Sequence, residues 1–124
     1  MIKKVYLLWN AYVTNELLVV ASLTRLDNNY IFKYESDALK AMECGCMLPF
    51  IYSKDEMYFE ALPHFFTQRM LNETMLTRLG IDYNPKDELS ILTCFNGRKN
   101  NDNFLVVREE VYETLKDKQT TRNI

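Results

Sequence analysis

The first 34 residues contain three β-prone runs whose connections are too short to hold a crossover helix. Lys4–Trp9 (K-V-Y-L-L-W) combines β-branched, aromatic and leucine residues, the composition of a strand. Leu17–Leu26 is apolar through L-L-V-V-A-S-L and then alternates. Asn10–Asn15 supplies a turn between these runs. Asp27-Asn28-Asn29 tolerates the left-handed backbone of a hairpin, after which Tyr30–Tyr34 turns back. Parallel neighbours need a crossover of about a dozen residues or more, so these runs can pair only as an antiparallel meander.

Downstream, the periodicity changes to that of short helices. Glu35-Ser36-Asp37 ends the third strand and caps a helical turn through Ala38, Leu39 and Met42. Met47-Leu48-Pro49-Phe50 is an apolar run that Pro49 closes. Ser53-Lys54-Asp55-Glu56 has capping-box spacing and predicts another helical turn. Pro63 suits the first position of a helix over Pro63–Leu71, with Leu62, Phe66 and Met70 on one face. Asn72 caps Glu73–Leu79, and Gly80 ends it.

Asn84-Pro85-Lys86-Asp87-Glu88 places a cap, a proline and acids at a helix start. The helix that follows buries Leu89, Leu92 and Phe95. Asn96–Asn103 reads as a polar loop and Phe104–Val107 as a fourth strand. Arg108–Lys118 is charged, with only Val111 and Leu115 on a helical face, and Thr120–Ile124 reads as a frayed end. This divides the chain into a domain over 1–107 and a helical extension with tail over 108–124, the latter expected to be dispensable for folding. The expected fold is α+β: a small, mainly antiparallel sheet with two or three short helices on one face.

A chain of 124 residues, 48% hydrophobic and with three glycines and three prolines, can bury a core as one ordered domain. Its net charge of -2 gives no electrostatic reason to expect direct nucleic-acid binding. Its apolar runs fall short of the ~18 residues that span a bilayer, so no membrane association is expected. Cys44, Cys46 and Cys94 are an odd set without a signal peptide ahead of them, which fits free thiols in a cytoplasmic protein.

Cys44-Gly45-Cys46 with Cys94 and the single imidazole His64 is a poor match to the C-x2-4-C spacing of structural zinc, so no metal or cofactor is expected. Asp27, Asp37, Asp55 and Glu56 have no histidine or nucleophile at a defined spacing and read as caps and solvated loops. The aromatic residues are more informative. Phe65 and Phe66 are adjacent on a helix, so they point about 100° apart and cannot both face one core. Tyr52, Met57, Tyr58 and Phe59 add a dense aromatic and methionine stretch beside a loop. Tyr52, Tyr58, Phe59, Phe65 and Phe66 are therefore the candidate partner-binding residues, while Trp9 on the first strand reads as core.

Several short motifs also occur in a familiar order. Val20-Ala21-Ser22-Leu23 resembles V-G-x-L, Phe32-Lys33-Tyr34 precedes a short helix and then Leu48-Pro49-Phe50, Phe65-Phe66 follows, and Leu89, Leu92 and Gly97-Arg98 resemble D-x-L-L…G-R. The ordered set resembles the N-terminal subdomain of HipA-type serine/threonine kinases over roughly residues 1–107. Arg69-Met70-Leu71-Asn72 stands where that family has L-L-P-E/D, and Asn103–Val107 where it has G-A-hydrophobic.

The sequence has no Gly-rich phosphate loop, no H-x-D-x-x-x-x-N segment and no D-F-G-like triplet, so no kinase activity is expected. In HipBST-type toxin–antitoxin systems this subdomain is a separate protein. The resemblance implies a HipS-like antitoxin that binds and restrains a HipT-like kinase, with a HipB-like DNA-binding protein allowed in a larger complex. Two alternatives stand beside it: a regulatory subunit that completes the kinase fold, and a small thiol or metal-binding protein.

Overall fold

The computed structural model describes residues 1–99 and 102–122, with side chains as far as Asp117. The order is β1 (Lys4–Asn10), β2 (Leu17–Leu26), β3 (Asn29–Tyr34), α1 (Ala38–Glu43), β4 (Met57–Phe59), α2 (His64–Thr67), α3 (Glu73–Leu79), α4 (Glu88–Thr93), β5 (Phe104–Arg108) and α5 (Glu109–Arg122). The strands form one antiparallel sheet in the order β4-β3-β2-β1-β5, giving a small α+β fold. The meander predicted from the short connections is its centre, and Asp27 adopts the left-handed conformation (φ 57°) that its hairpin needs.

Strand alternation sorts the sheet into two faces. Val5, Leu7 and Trp9 of β1, Leu18, Val20 and Leu23 of β2, Tyr30, Phe32 and Tyr34 of β3, and Phe104 and Val106 of β5 point into one core. A bulge between Leu7 and Leu8 shifts the pairing from Leu7–Ala21 to Leu8–Val19, so Val20 and Ala21 are both buried. Three short helices cover this face through Ala38 and Ala41 of α1, Phe66 of α2, and Leu89 and Leu92 of α4. Trp9 is core, as its position on β1 predicts.

The second face carries Tyr6 and Leu8 of β1 and Leu105 and Val107 of β5. Helix α5 lies against it. Tyr112 stacks on Tyr6 with ring centroids 4.1 Å apart, and Tyr112 and Leu115 line a cavity together with Leu8. Leu8 and Val107 are buried there although they lie outside the main core. The extension expected to be dispensable is therefore the cover of half a sheet face. Thr120–Arg122, expected to fray, belong to α5; residues 123–124 lie outside the described residues, as do 100–101 of the expected polar loop.

Five local expectations change. Ser53-Lys54-Asp55-Glu56 forms no helix: the Ser53 hydroxyl accepts from the Asp55 amide (3.1 Å) in a tight turn, and Met57–Phe59 pairs with β3 as an edge strand. The helix expected over Pro63–Leu71 is the single turn His64–Thr67. Asp37 makes no side-chain cap to α1 and accepts instead from the Val19 amide (3.3 Å), tying α1 to β2. Asn84 does not cap α4. Its side chain accepts from Lys86 N (3.0 Å), and Asp87 is the cap, accepting from Leu89 N (3.1 Å). With α4 ending at Thr93, Phe95 falls beyond it and is half exposed rather than buried. Asn72 and Gly80 bound α3 as expected, the former accepting from Met75 N (2.8 Å) and the latter at φ 67°.

Candidate functional site

The candidate partner-binding aromatics belong to a chain of rings that crosses the helical face. Phe32, fully buried, is its hub, contacting Tyr34 and Phe50 edge to face (4.9 Å each) and Phe66 at 6.2 Å. Tyr52 tilts against Tyr34 at 5.6 Å and Phe59 against Phe50 at 5.2 Å, extending the chain toward β4. Phe65 meets Phe66 at 5.1 Å and Phe104 at 5.3 Å, extending it to β5 at the other edge. Such contacts contribute ~0.5–1.5 kcal/mol beyond area burial. Tyr34 fixes the middle: its hydroxyl donates to Phe50 O (2.5 Å) and accepts from Phe50 N (3.0 Å), which straps the 47–52 segment onto β3.

This geometry divides the five candidates. Phe66 is fully buried and is core, a correction to its reading as an anchor. The expected divergence of the pair holds: Phe65 remains half-buried. Tyr52 and Phe59 are also half-buried, each with one face on the ring chain. Tyr58 alone stands out, 70% exposed. Because Tyr58 pairs with Ile31 and Phe59 with Tyr30, the two project from opposite faces of β4. The Tyr58 hydroxyl donates to Glu56 Oε2 (2.9 Å), which keeps the phenol protonated and raises its pKa.

Edge strand β4 is the feature that sequence reasoning missed. It ends the sheet, and among the described residues no backbone group pairs with its outer side. Ile51 (92% exposed) and Met47 (86%) lie on the segment that leads into it. The other edge is closed differently, since Val106 N donates to Asn96 O (2.8 Å) and the 96–97 turn shields β5. The β-prone M-Y-F triplet was the available signal, and the capping-box spacing before it masked that signal.

A cleft of about 680 Å³ opens at the β5 side, between the end of α2 and the loop that follows α4. Arg69, buried in its wall, donates to Gly97 O (3.1 Å) and pairs with Asp102. Its guanidinium lies over Phe65 (4.4 Å) and Phe104 (5.3 Å).

Cys44 is exposed, Cys46 buried and Cys94 half-buried, all as free thiols. Burial raises the Cys46 pKa to about 11. Among the described residues no three His, Cys, Asp or Glu side chains converge as metal ligands, so Cys44, Cys46, Cys94 and His64 do not assemble a site. Asp27, Asp55 and Glu56 stay at turns. No helix among the described residues is long and apolar enough to cross a membrane. Comparison with protein-family models, curated proteins and solved structures finds no match.

Proposed function

We propose that this chain is a protein–protein docking domain acting as a HipS-like antitoxin, which binds a HipT-like serine/threonine kinase through the β4 edge and lowers its activity. The observation that carries the docking role is the unpaired edge strand with Tyr58 exposed on it. Edges of this kind accept an added strand or a flanking surface, and large aromatic residues dominate interface energetics. Phe59, on the other face of β4, anchors the strand to the ring chain through Phe50. A net charge of -2 offers little long-range steering, so affinity comes mainly from buried apolar area.

The choice of a kinase as partner rests on the ordered motif resemblance. In this reading the chain transfers no phosphoryl group itself, works in the cytoplasm and contacts DNA only through a HipB-like component. The test is kinase autophosphorylation with and without the chain, using a HipT-like kinase from the same source, alongside a binding titration. Binding with reduced autophosphorylation supports the antitoxin, and binding with increased activity supports a regulatory subunit instead. No binding at micromolar concentrations overturns both.

A further inference from the structure

We infer that the cleft beside β5 binds an organic phosphate bearing a planar ring, of the nucleoside monophosphate class. The inference stands apart from the docking role of β4, which lies at the opposite edge of the sheet.

The cleft is built rather than incidental. Asn96 and Gly97 both adopt left-handed backbone (φ 56° and 57°), reversing the chain after Phe95. A Cβ at Gly97 would lie 2.6 Å from Val106 Cβ, so glycine is what lets this turn seat against β5. The Asn96 carbonyl receives the Val106 amide, and the Gly97 carbonyl receives Arg69. Asp102 beyond it is held by the same guanidinium and accepts from Phe104 N (3.2 Å). The Arg69 guanidinium thus holds the turn at Gly97 and the strand approach at Asp102.

The residues that line the cleft have complementary chemistry. Phe95 is half exposed on the cleft wall, although an apolar ring of its size is ordinarily buried. Arg98 and Lys99 line the same cleft. The Arg69 and Asp102 charges cancel within the wall. Arg98 has no anionic partner among the described residues, and Lys99 donates to the neutral Gln68 amide (2.9 Å). Two uncompensated cations therefore face one cleft in a chain of net charge -2, and the low-dielectric walls focus their field there. The cations fit a phosphate, Phe95 offers a stacking face for a ring, and the amides of Gln68 and Asn103 can hydrogen-bond its edge. The volume lies in the range that holds a small ligand. A polynucleotide fits less well, because it would bring a line of phosphates to an acidic surface with only these two cations.

The test is calorimetric titration of the full chain at low salt with the four nucleoside monophosphates, ribose 5-phosphate, inorganic phosphate and a short single-stranded oligonucleotide. Nucleoside monophosphates are expected to bind best. The double substitution Arg98→Ala/Lys99→Ala should weaken binding roughly tenfold or more. Phe95→Ala should weaken it roughly fivefold or more. All three residues are exposed enough that the melting temperature should be unchanged, which a thermal scan verifies. Equal binding of ring-free phosphates, tighter binding of the oligonucleotide, full affinity in both variants, or no heat up to about 10 mM ligand would each overturn the inference.

Discussion

Arg25 Nη2 lies 2.7 Å from Asp87 Oδ1, and both side chains are almost entirely enclosed although 62 residues separate them. The same carboxylate accepts from Ile2 N (2.7 Å) and Leu89 N (3.1 Å), so one residue joins the start of β1, the β2–β3 hairpin and α4. Burial opposes ionisation of Asp87, but the Ile2 amide and the Arg25 guanidinium outweigh it and hold its pKa below the usual carboxylate value. A depressed folded-state pKa contributes stability that is present above the unfolded value of ~4 and is lost as pH falls through the folded value. Urea midpoints between pH 7 and pH 3 should therefore fall more for the parent than for Asp87→Asn. Asp87→Ala should cost about 3 kcal/mol or more at pH 7, because it leaves Arg25 enclosed without its counter-ion.

Removing α5 should expose Leu8 and Val107. Burial of two such side chains is worth ~3–5 kcal/mol, a large share of the stability of a domain this size. A chain ending at Arg108 should melt at a clearly lower temperature and bind a hydrophobic dye that the parent excludes. An unchanged melting curve would show that α5 is only laid on the sheet.

Phe66 and Tyr58 should separate stability from binding. Phe66→Ala should cost ~3–5 kcal/mol of folding free energy, as an emptied core position does. Tyr58→Ala should leave the melting curve almost unmoved and cost ~2 kcal/mol or more of affinity for the kinase. Each variant needs both readings. Full affinity in Tyr58→Ala would move the interface away from β4.

Gly97 and Gly80 offer a matched comparison, since both are left-handed. Alanine at Gly80 meets nothing within 4 Å and should cost only the ~1–2 kcal/mol of that conformation. Alanine at Gly97 has the same strain and also collides with Val106, adding ~1–3 kcal/mol. Chemical denaturation of the two variants side by side checks the order.

The thiols should react in sequence. At pH 8 the exposed Cys44 should be labelled by a disulfide reagent first, while Cys46, enclosed and with its pKa near 11, should wait for local opening. Mass spectrometry over a labelling time course reads the order directly.

The parts of the fold legible in the sequence are those fixed by local rules. The meander follows from turn length and β-prone runs, and α3 from a cap and a left-handed glycine. Where one residue serves several partners, local rules fail. Asp87 displaces Asn84 as the cap because its carboxylate is already held by Arg25 and Ile2, contacts that no window around residue 87 contains. Ser53–Glu56 has capping spacing, but the β-prone Met57-Tyr58-Phe59 that follows finds an open partner in β3, and pairing wins. The ring chain was visible only as aromatic density. Which rings are enclosed depends on Phe32, at least 18 residues from the rings at 50, 59 and 66. The β5 cleft left no trace in the sequence because Arg69 and Asp102 meet across 33 residues.

The placement of β5 beside β1 also sets a timetable. Strands β1–β3 contact one another within the first 34 residues and can pair while the rest of the chain is still being made. Trp9, however, has Phe104 as its partner, and Val5 has Arg108. Until those residues leave the ribosome, one side of β1 is an open edge carrying valine, leucine and tryptophan, the kind of surface that recruits stray strands. Among the described strands, β5 follows the other four in the chain and seals the outer side of β1. During synthesis the chain is therefore most vulnerable to misassociation along β1, and arrival of the Phe104–Arg108 segment ends that window.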